Sequence, residues 1–190
     1  MTTAAEITTG EAPRWRGINH LALVTNDMDA TVRFYHGVLG ARLVATIGTP
    51  HFRHYFFEFG PQNTVAFFEY ANSKTDPFAI PAGVPDPRKV QFDHLSFNLA
   101  DEQALLSLRD RLKAADCEIT DVIDHGFIRS VYFTDPNGIA LEASHWVVDA
   151  TGRPTDLGDG DLFSDQNPVP AVRELRESGA IASLPHTQLT

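Results

Sequence analysis

Residues 124–144 read DHGFIRSVYFTDPNGIALEAS, two extended runs joined by Asp135-Pro136-Asn137-Gly138. In such a turn proline fixes one φ and glycine supplies a positive φ at no steric cost. The flanks alternate as half-buried strands do. On the second run Ile139, Leu141 and Ala143 point one way, while Ala140, Glu142 and Ser144 point the other. A carboxylate among small neighbours, behind a greasy opposite face, sits either on the floor of a cavity or on the solvated outside of a sheet. The stretch by itself leaves both open.

Working outward, the same order of elements occurs twice at a spacing of about 74 residues. Gly17 to Thr25 reads as a strand, with Ile18, His20, Ala22 and Val24 on one face. Asn26 or Asp27 caps a helix in which Met28, Val32, Tyr35 and Leu39 fall at helical spacing and Gly40 is the stop. Extended runs follow at about 41–48, 52–59 and 64–70. Then Val90 to Leu99 repeats the first strand, 101–115 the helix with its Leu105, Leu108, Leu112 and Ala115 stripe, and about 118–124, 127–134 and 139–147 the three runs. INHLALVTNDMDATVRFY matches FDHLSFNLADEQALLSLR, which puts His20 and His94 at equivalent points.

These periodicities divide the chain into a flexible leader (1–16), a first βαβββ module (17–70), an inter-module loop with four prolines (71–89), a second βαβββ module (90–148) and an extension (149–190). The extension contains TDLGDGDLFSD, which departs from a calcium-loop pattern and reads as a solvated wrap. A short helix is expected from Pro170 to Ser178, with proline at its start and Gly179 at its end.

Composition narrows the function. A formal charge of −10 argues against nucleic acid or an anionic membrane as partner. No apolar run reaches the roughly 20 residues of a bilayer span. The first residues lack a secretory signal, and Cys117 stands alone, so a cytoplasmic protein without disulfides is expected.

A lone strand histidine is more often structural than a ligand, but two at equivalent positions of a repeat change that weighting. Packing of the copies about a pseudo-twofold axis would bring His20 and His94 together, with Glu142 as a third donor. Two imidazoles and a carboxylate hold a divalent metal on one side and leave the other open to substrate, as in non-haem Fe(II) sites. Zinc uses the same donors.

The doubled βαβββ pattern, the H-L-x-[LF] strands and the ending YFTDPNGIALE resemble the vicinal oxygen chelate superfamily, which includes glyoxalase I, extradiol dioxygenases, methylmalonyl-CoA epimerase, and fosfomycin and bleomycin resistance proteins. The resemblance covers about residues 17–147. It implies an α+β fold in which two βαβββ modules form a paired, open, β-barrel-like sheet around a metal site, usually in a homodimer. His20, His94 and Glu142 fall where the family places metal ligands on the first, fifth and eighth strands.

Glyoxalase I and the epimerase add a ligand on the fourth strand. Aligning Pro61 with Pro136 puts Phe67 at that place, which favours the three-ligand dioxygenase pattern, unless a small register shift makes Glu69 the ligand. Tyr132, ten residues before Glu142 in V-Y-F-T-D-P, matches the extradiol tyrosine that hydrogen-bonds substrate. The alternative is an aromatic packed in the core. His125 is a candidate acid–base residue, at a different offset from the family's. Arg129 is expected either to pair with an anionic substrate group or to form a surface salt bridge. His54 and Arg53 are candidate cavity residues, and Phe56, Phe67 and Phe68 a candidate aromatic lining.

The expectation is therefore an enzyme that takes a small molecule with adjacent oxygens. Its metal would be Fe(II), with zinc, manganese or nickel as alternatives. The competing readings are a glyoxalase- or epimerase-like isomerase or lyase using Glu69, and a non-catalytic binding protein.

Overall fold

The computed structural model describes residues 17–76, 78–79, 81–87, 92–151 and 153–180. The expected leader, and the first residues of the expected Val90–Leu99 strand, lie outside them. The chain divides into a compact unit spanning Arg16–Asp149 and a smaller one holding the residues after Asp149.

The larger unit contains two sheets of identical plan. The first has β1 (His20–Val24), β2 (Arg42–Gly48), β3 (Phe52–Gly60) and β4 (Asn63–Tyr70) in the order β1-β4-β3-β2. The second has β5 (Leu95–Asn98), β6 (Ile123–Asp124), β7 (Ile128–Thr134) and β8 (Ala140–Trp146) in the order β5-β8-β7-β6. In each, the outer pair is parallel and the hairpins antiparallel. The α+β architecture of two open βαβββ modules is thus present. The run expected at 118–124 pairs only at Ile123–Asp124 and at one bridge, Ile119 with Phe133.

Each first strand leads into a helix capped as its sequence dictates. Asp27 accepts from Ala30 N–H at 3.0 Å ahead of α1 (Met28–Val32), and Asp101 accepts from Ala104 N–H at 2.8 Å ahead of α2 (Glu102–Ala114). α1 widens into a π-helical turn, Arg33–Val38, closed by Leu39 N–H on Phe34 C=O. The wider turn adds a residue to the period. Thr31 and Phe34 join the expected Met28 and Tyr35 as the buried set, while the expected Val32 and Leu39 are partly buried against the same core.

One core joins the modules. Tyr35, Phe57, Phe67, Leu105, Leu112, Val131 and Leu141 are fully buried in it. Each such side chain contributes about 1.5–3 kcal/mol by leaving water. Phe59 of β3 stacks on Phe97 of β5 with ring centres 4.1 Å apart. The Asp135–Gly138 turn also reaches across the modules. Asn137 Oδ1 accepts from Thr25 Oγ1 at 2.6 Å, and the buried Asp135 carboxylate accepts from Tyr35 O–H at 3.1 Å. Burial pushes the Tyr35 hydroxyl well above its usual range and, against its hydrogen bonds, raises the Asp135 carboxyl.

In the smaller unit α3 (Pro170–Ser178) begins on proline and ends at Gly179, whose φ of +72° is the left-handed stop. No helix among the described residues is long and apolar enough to cross a membrane.

Candidate active site

In each sheet the odd-numbered residues of the long strands face the core, so the even-numbered ones form a second face. On β8 that face carries Glu142, paired in register with Ser96 of β5 and Tyr132 of β7. Glu142 is only 6% exposed, so it is a buried carboxylate rather than a solvated one. Such a group persists only when its oxygens are bonded. Its Oε2 lies 2.8 Å from His94 Nε2, and its Oε1 accepts from Tyr132 O–H at 3.3 Å.

His94 stands just before β5, and its Nδ1 is 2.5 Å from Asp93 Oδ1. Asp93 Oδ1 also accepts from Gly83 N–H at 2.8 Å. The His94 ring beside it holds the Asp93 carboxyl below the usual carboxylate range. On the other side His125 Nε2 lies 2.9 Å from the Tyr132 hydroxyl oxygen. Burial first, then the charge of Glu142, pushes the Tyr132 phenol upward, so it is protonated at neutral pH. A continuous chain results: Asp93, His94, Glu142, Tyr132, His125. Asp93 was missed by sequence reasoning, although its place next to His94 was the available signal.

The donor set at His94 is informative. With Nδ1–H given to Asp93, a neutral imidazole offers Glu142 a lone pair, not a proton. Both contacts are favourable only if the ring is an imidazolium or if a cation lies between Nε2 and the carboxylate. A carboxylate behind the far ring nitrogen is the arrangement that orients a metal-binding histidine. His94 and Glu142 therefore fit a divalent metal as two of its ligands.

His20 is on the corresponding face of the other sheet. Its ring lies edge-on to His54 (6.4 Å) and Phe56 (5.5 Å). Among the described residues no group of three His, Cys, Asp or Glu side chains is placed to hold a metal ion. One chain thus does not bring His20 to His94 and Glu142, contrary to the expected intrachain convergence. His54 stacks on Phe68 at 3.6 Å, and burial, followed by the nearness of His20, lowers its pKa, so it is a neutral imidazole.

Two expected site residues, Phe67 and Glu69, are corrected, and Arg129 takes the salt-bridge alternative. In register, Ala22 pairs with Ala66 as Ser96 pairs with Glu142, so Ala66, not Phe67, occupies the place of Glu142. Phe67 is fully buried on the core face against Tyr35, with ring centres 4.9 Å apart. Glu69 shares that core-side face and is ion-paired with Arg53, so neither points into the site. Arg129 also faces away from Glu142, bonded to Asp124 at 3.0 Å and Glu102 at 2.8 Å. Glu69→Gln is accordingly expected to leave bound metal unchanged within about twofold, as elemental analysis of the purified variant would check.

Beside Tyr132 and His125 lies a cavity of about 800 Å³. Its floor is Tyr132, Thr134 and Ala140, and its far wall is the inter-module loop around Pro81 to Gly83.

A family model described as Glyoxalase/Bleomycin resistance protein/Dioxygenase superfamily matches residues 17–143. No curated protein matches the sequence. Among solved structures, a glyoxylase/bleomycin resistance protein/dioxygenase domain from Frankia sp. EAN1pec is 24% identical, with TM-score 0.60, over 70% of this chain and 98% of that one. Lactoylglutathione lyase from Agrobacterium tumefaciens is 25% identical, with TM-score 0.50, over 70% and 96%. The fosfomycin resistance protein FosX from Listeria monocytogenes is 17% identical, with TM-score 0.54, over 70% and 96%.

Proposed function

Because the chain belongs to the glyoxalase/bleomycin resistance protein/dioxygenase superfamily, we propose that it is a metal-dependent enzyme that cleaves a catechol-like ring with dioxygen. The observation that carries this reading is the Glu142–Tyr132–His125 chain on one sheet, with Ala66 at the matching place on the other. An alanine there supplies no fourth ligand of the glyoxalase or epimerase kind, and a set of His20, His94 and Glu142 remains. Fe(II) is the ion these donors suit when dioxygen is the co-substrate.

His20 and the His94–Glu142 pair occupy separate sheets, so the reading includes a homodimer in which His20 of one protomer completes the site of the other. Exposed apolar residues on the His20 sheet support a partner there: Val24 is 38%, Ile47 47% and Tyr70 40% exposed.

When bound, iron would supply the Lewis acidity and the electron chemistry toward dioxygen. The chain's own residues do the rest. Asp93 fixes the His94 ring so that Nε2 points to the site. Tyr132, protonated and held 3.3 Å from Glu142, donates a hydrogen bond to a substrate oxygen next to that carboxylate. His125 is solvent-exposed with Nε2 2.9 Å from the Tyr132 oxygen. Tyr132 can therefore pass its own proton to a neutral His125, and thence to water, as it takes the proton of the substrate hydroxyl, after which it donates to the ionised oxygen.

The test is metal analysis of protein purified without oxygen, then oxygen uptake on a catechol panel with added Fe(II). Stoichiometric iron and a yellow ring-opened product support the reading. Zinc or nickel without oxygen uptake sinks it. Tyr132→Phe is expected to keep its metal and lose about 10²-fold in kcat, measured by the same uptake assay.

A further inference from the structure

The inter-module loop, sequence-poor in periodicity, is clamped at two points onto the second module. Gly138 has φ +82°, and a Cβ there would lie 2.9 Å from the Phe78 carbonyl oxygen, so the loop backbone rests directly on the turn. At the other end Gly83 N–H is bonded to Asp93, the residue that holds His94. Between the clamps Ala79, Pro81 and Ala82 line the large cavity.

The lining also includes Ile119, Ile123 and Phe133. Ile123 is paired with Ser130 and so shares the face of Tyr132, toward which the cavity opens. Glu118 is the one carboxylate of the lining, and no lysine or arginine belongs to it among the described residues. The space of about 800 Å³ far exceeds what one six-membered ring fills and falls within the range of whole ligand pockets.

We propose that this loop is the specificity wall of the site and that the substrate carries a bulky, uncharged, apolar substituent lodged between the loop and the β6–β7 edge. Only the reacting end of the substrate rests on the ring-cleaving reading. Among the described residues the lining has no lysine or arginine to compensate an acidic substituent, and Ala79, Ala82 and Gly83 leave room instead of filling it. Ala79, Pro81, Ala82 and Gly83 determine how large a substituent is admitted, and Asp93 ties that wall to His94.

The experiment uses the whole chain loaded with Fe(II), as wild type, Ala82→Trp and Ile123→Trp. Ile123 is 41% exposed, so its variant is the safer one for folding, which circular dichroism checks. The ratio of kcat/KM for 3-phenylcatechol to that for catechol is expected to fall at least about tenfold in both variants. In parallel, the uncharged fluorophore N-phenyl-1-naphthylamine, which has no vicinal oxygens, is expected to bind wild type and to lose about tenfold in affinity in both.

If no catechol is cleaved, the ring-cleaving reading fails while the fluorophore still decides this inference. An unchanged ratio in folded variants overturns it. So does an unchanged fluorophore affinity where nothing is cleaved, or a wild-type preference for a carboxylate-bearing catechol over 3-phenylcatechol.

Discussion

His94→Ala is expected to lower metal affinity by at least about 10²-fold, more than the loss of an outer-shell partner costs, and to leave the fold in place. The fold survives because His94 precedes β5 and makes no part of the common core, which is closed by Leu95, Phe97 and their neighbours. Elemental analysis after gel filtration reads the first effect, and circular dichroism the second. Unchanged metal content would remove His94 from the site. The same variant tests how the site is shared. Mixed with His20→Ala under conditions that exchange subunits, it forms heterodimers in which one site keeps every donor. About a quarter of wild-type oxygen uptake should then return. If both histidines served the same chain, every site in the mixture would carry a defect and nothing would return.

Asp135→Ala is expected to cost about 2–4 kcal/mol of stability, the price of buried donors left without an acceptor. The carboxylate accepts from Tyr35 O–H at 3.1 Å, Asn137 N–H at 2.8 Å, Asn137 Nδ2 at 3.0 Å and Ile139 N–H at 2.9 Å. Removing it frees the turn from both modules at once. The deficit should depend on pH. Burial raises the Asp135 pKa in the folded chain, so its contribution is greatest below the unfolded value of about 3.9 and is lost as pH rises through the folded value. Urea unfolding at about pH 4 should therefore separate wild type and variant more than at about pH 7. A smaller gap at the acid end would contradict the raised pKa.

Much of the fold was legible because its signals are local. The caps Asp27 and Asp101, the proline and glycine bounding α3, and the alternation around Glu142 all act within a few residues of where they are read. The face of Glu142 followed from period two alone. What failed was alignment between the copies. Glu58 pairs with Thr64 as Thr134 pairs with Ala140, so five residues separate the partners in each hairpin, but Pro61 is the third of its five and Pro136 the second of its own. Matching the prolines shifted one strand by a residue, and such a slip turns every side chain to the other face. That slip brought Phe67 and Glu69 into the expected site and left Ala66 out. The partners of Arg129 and the hold of Asp93 on His94 depend on how side chains turn in space, which no periodicity encodes.

That one-residue correction also changes how the duplication is understood. Ala66 and Phe56 stand where the second copy has Glu142 and Tyr132. At those two places the first sheet carries a methyl group and a phenyl ring, so one face of the repeat is apolar where the other is acidic and hydrogen-bonded, and the two halves are chemically unlike.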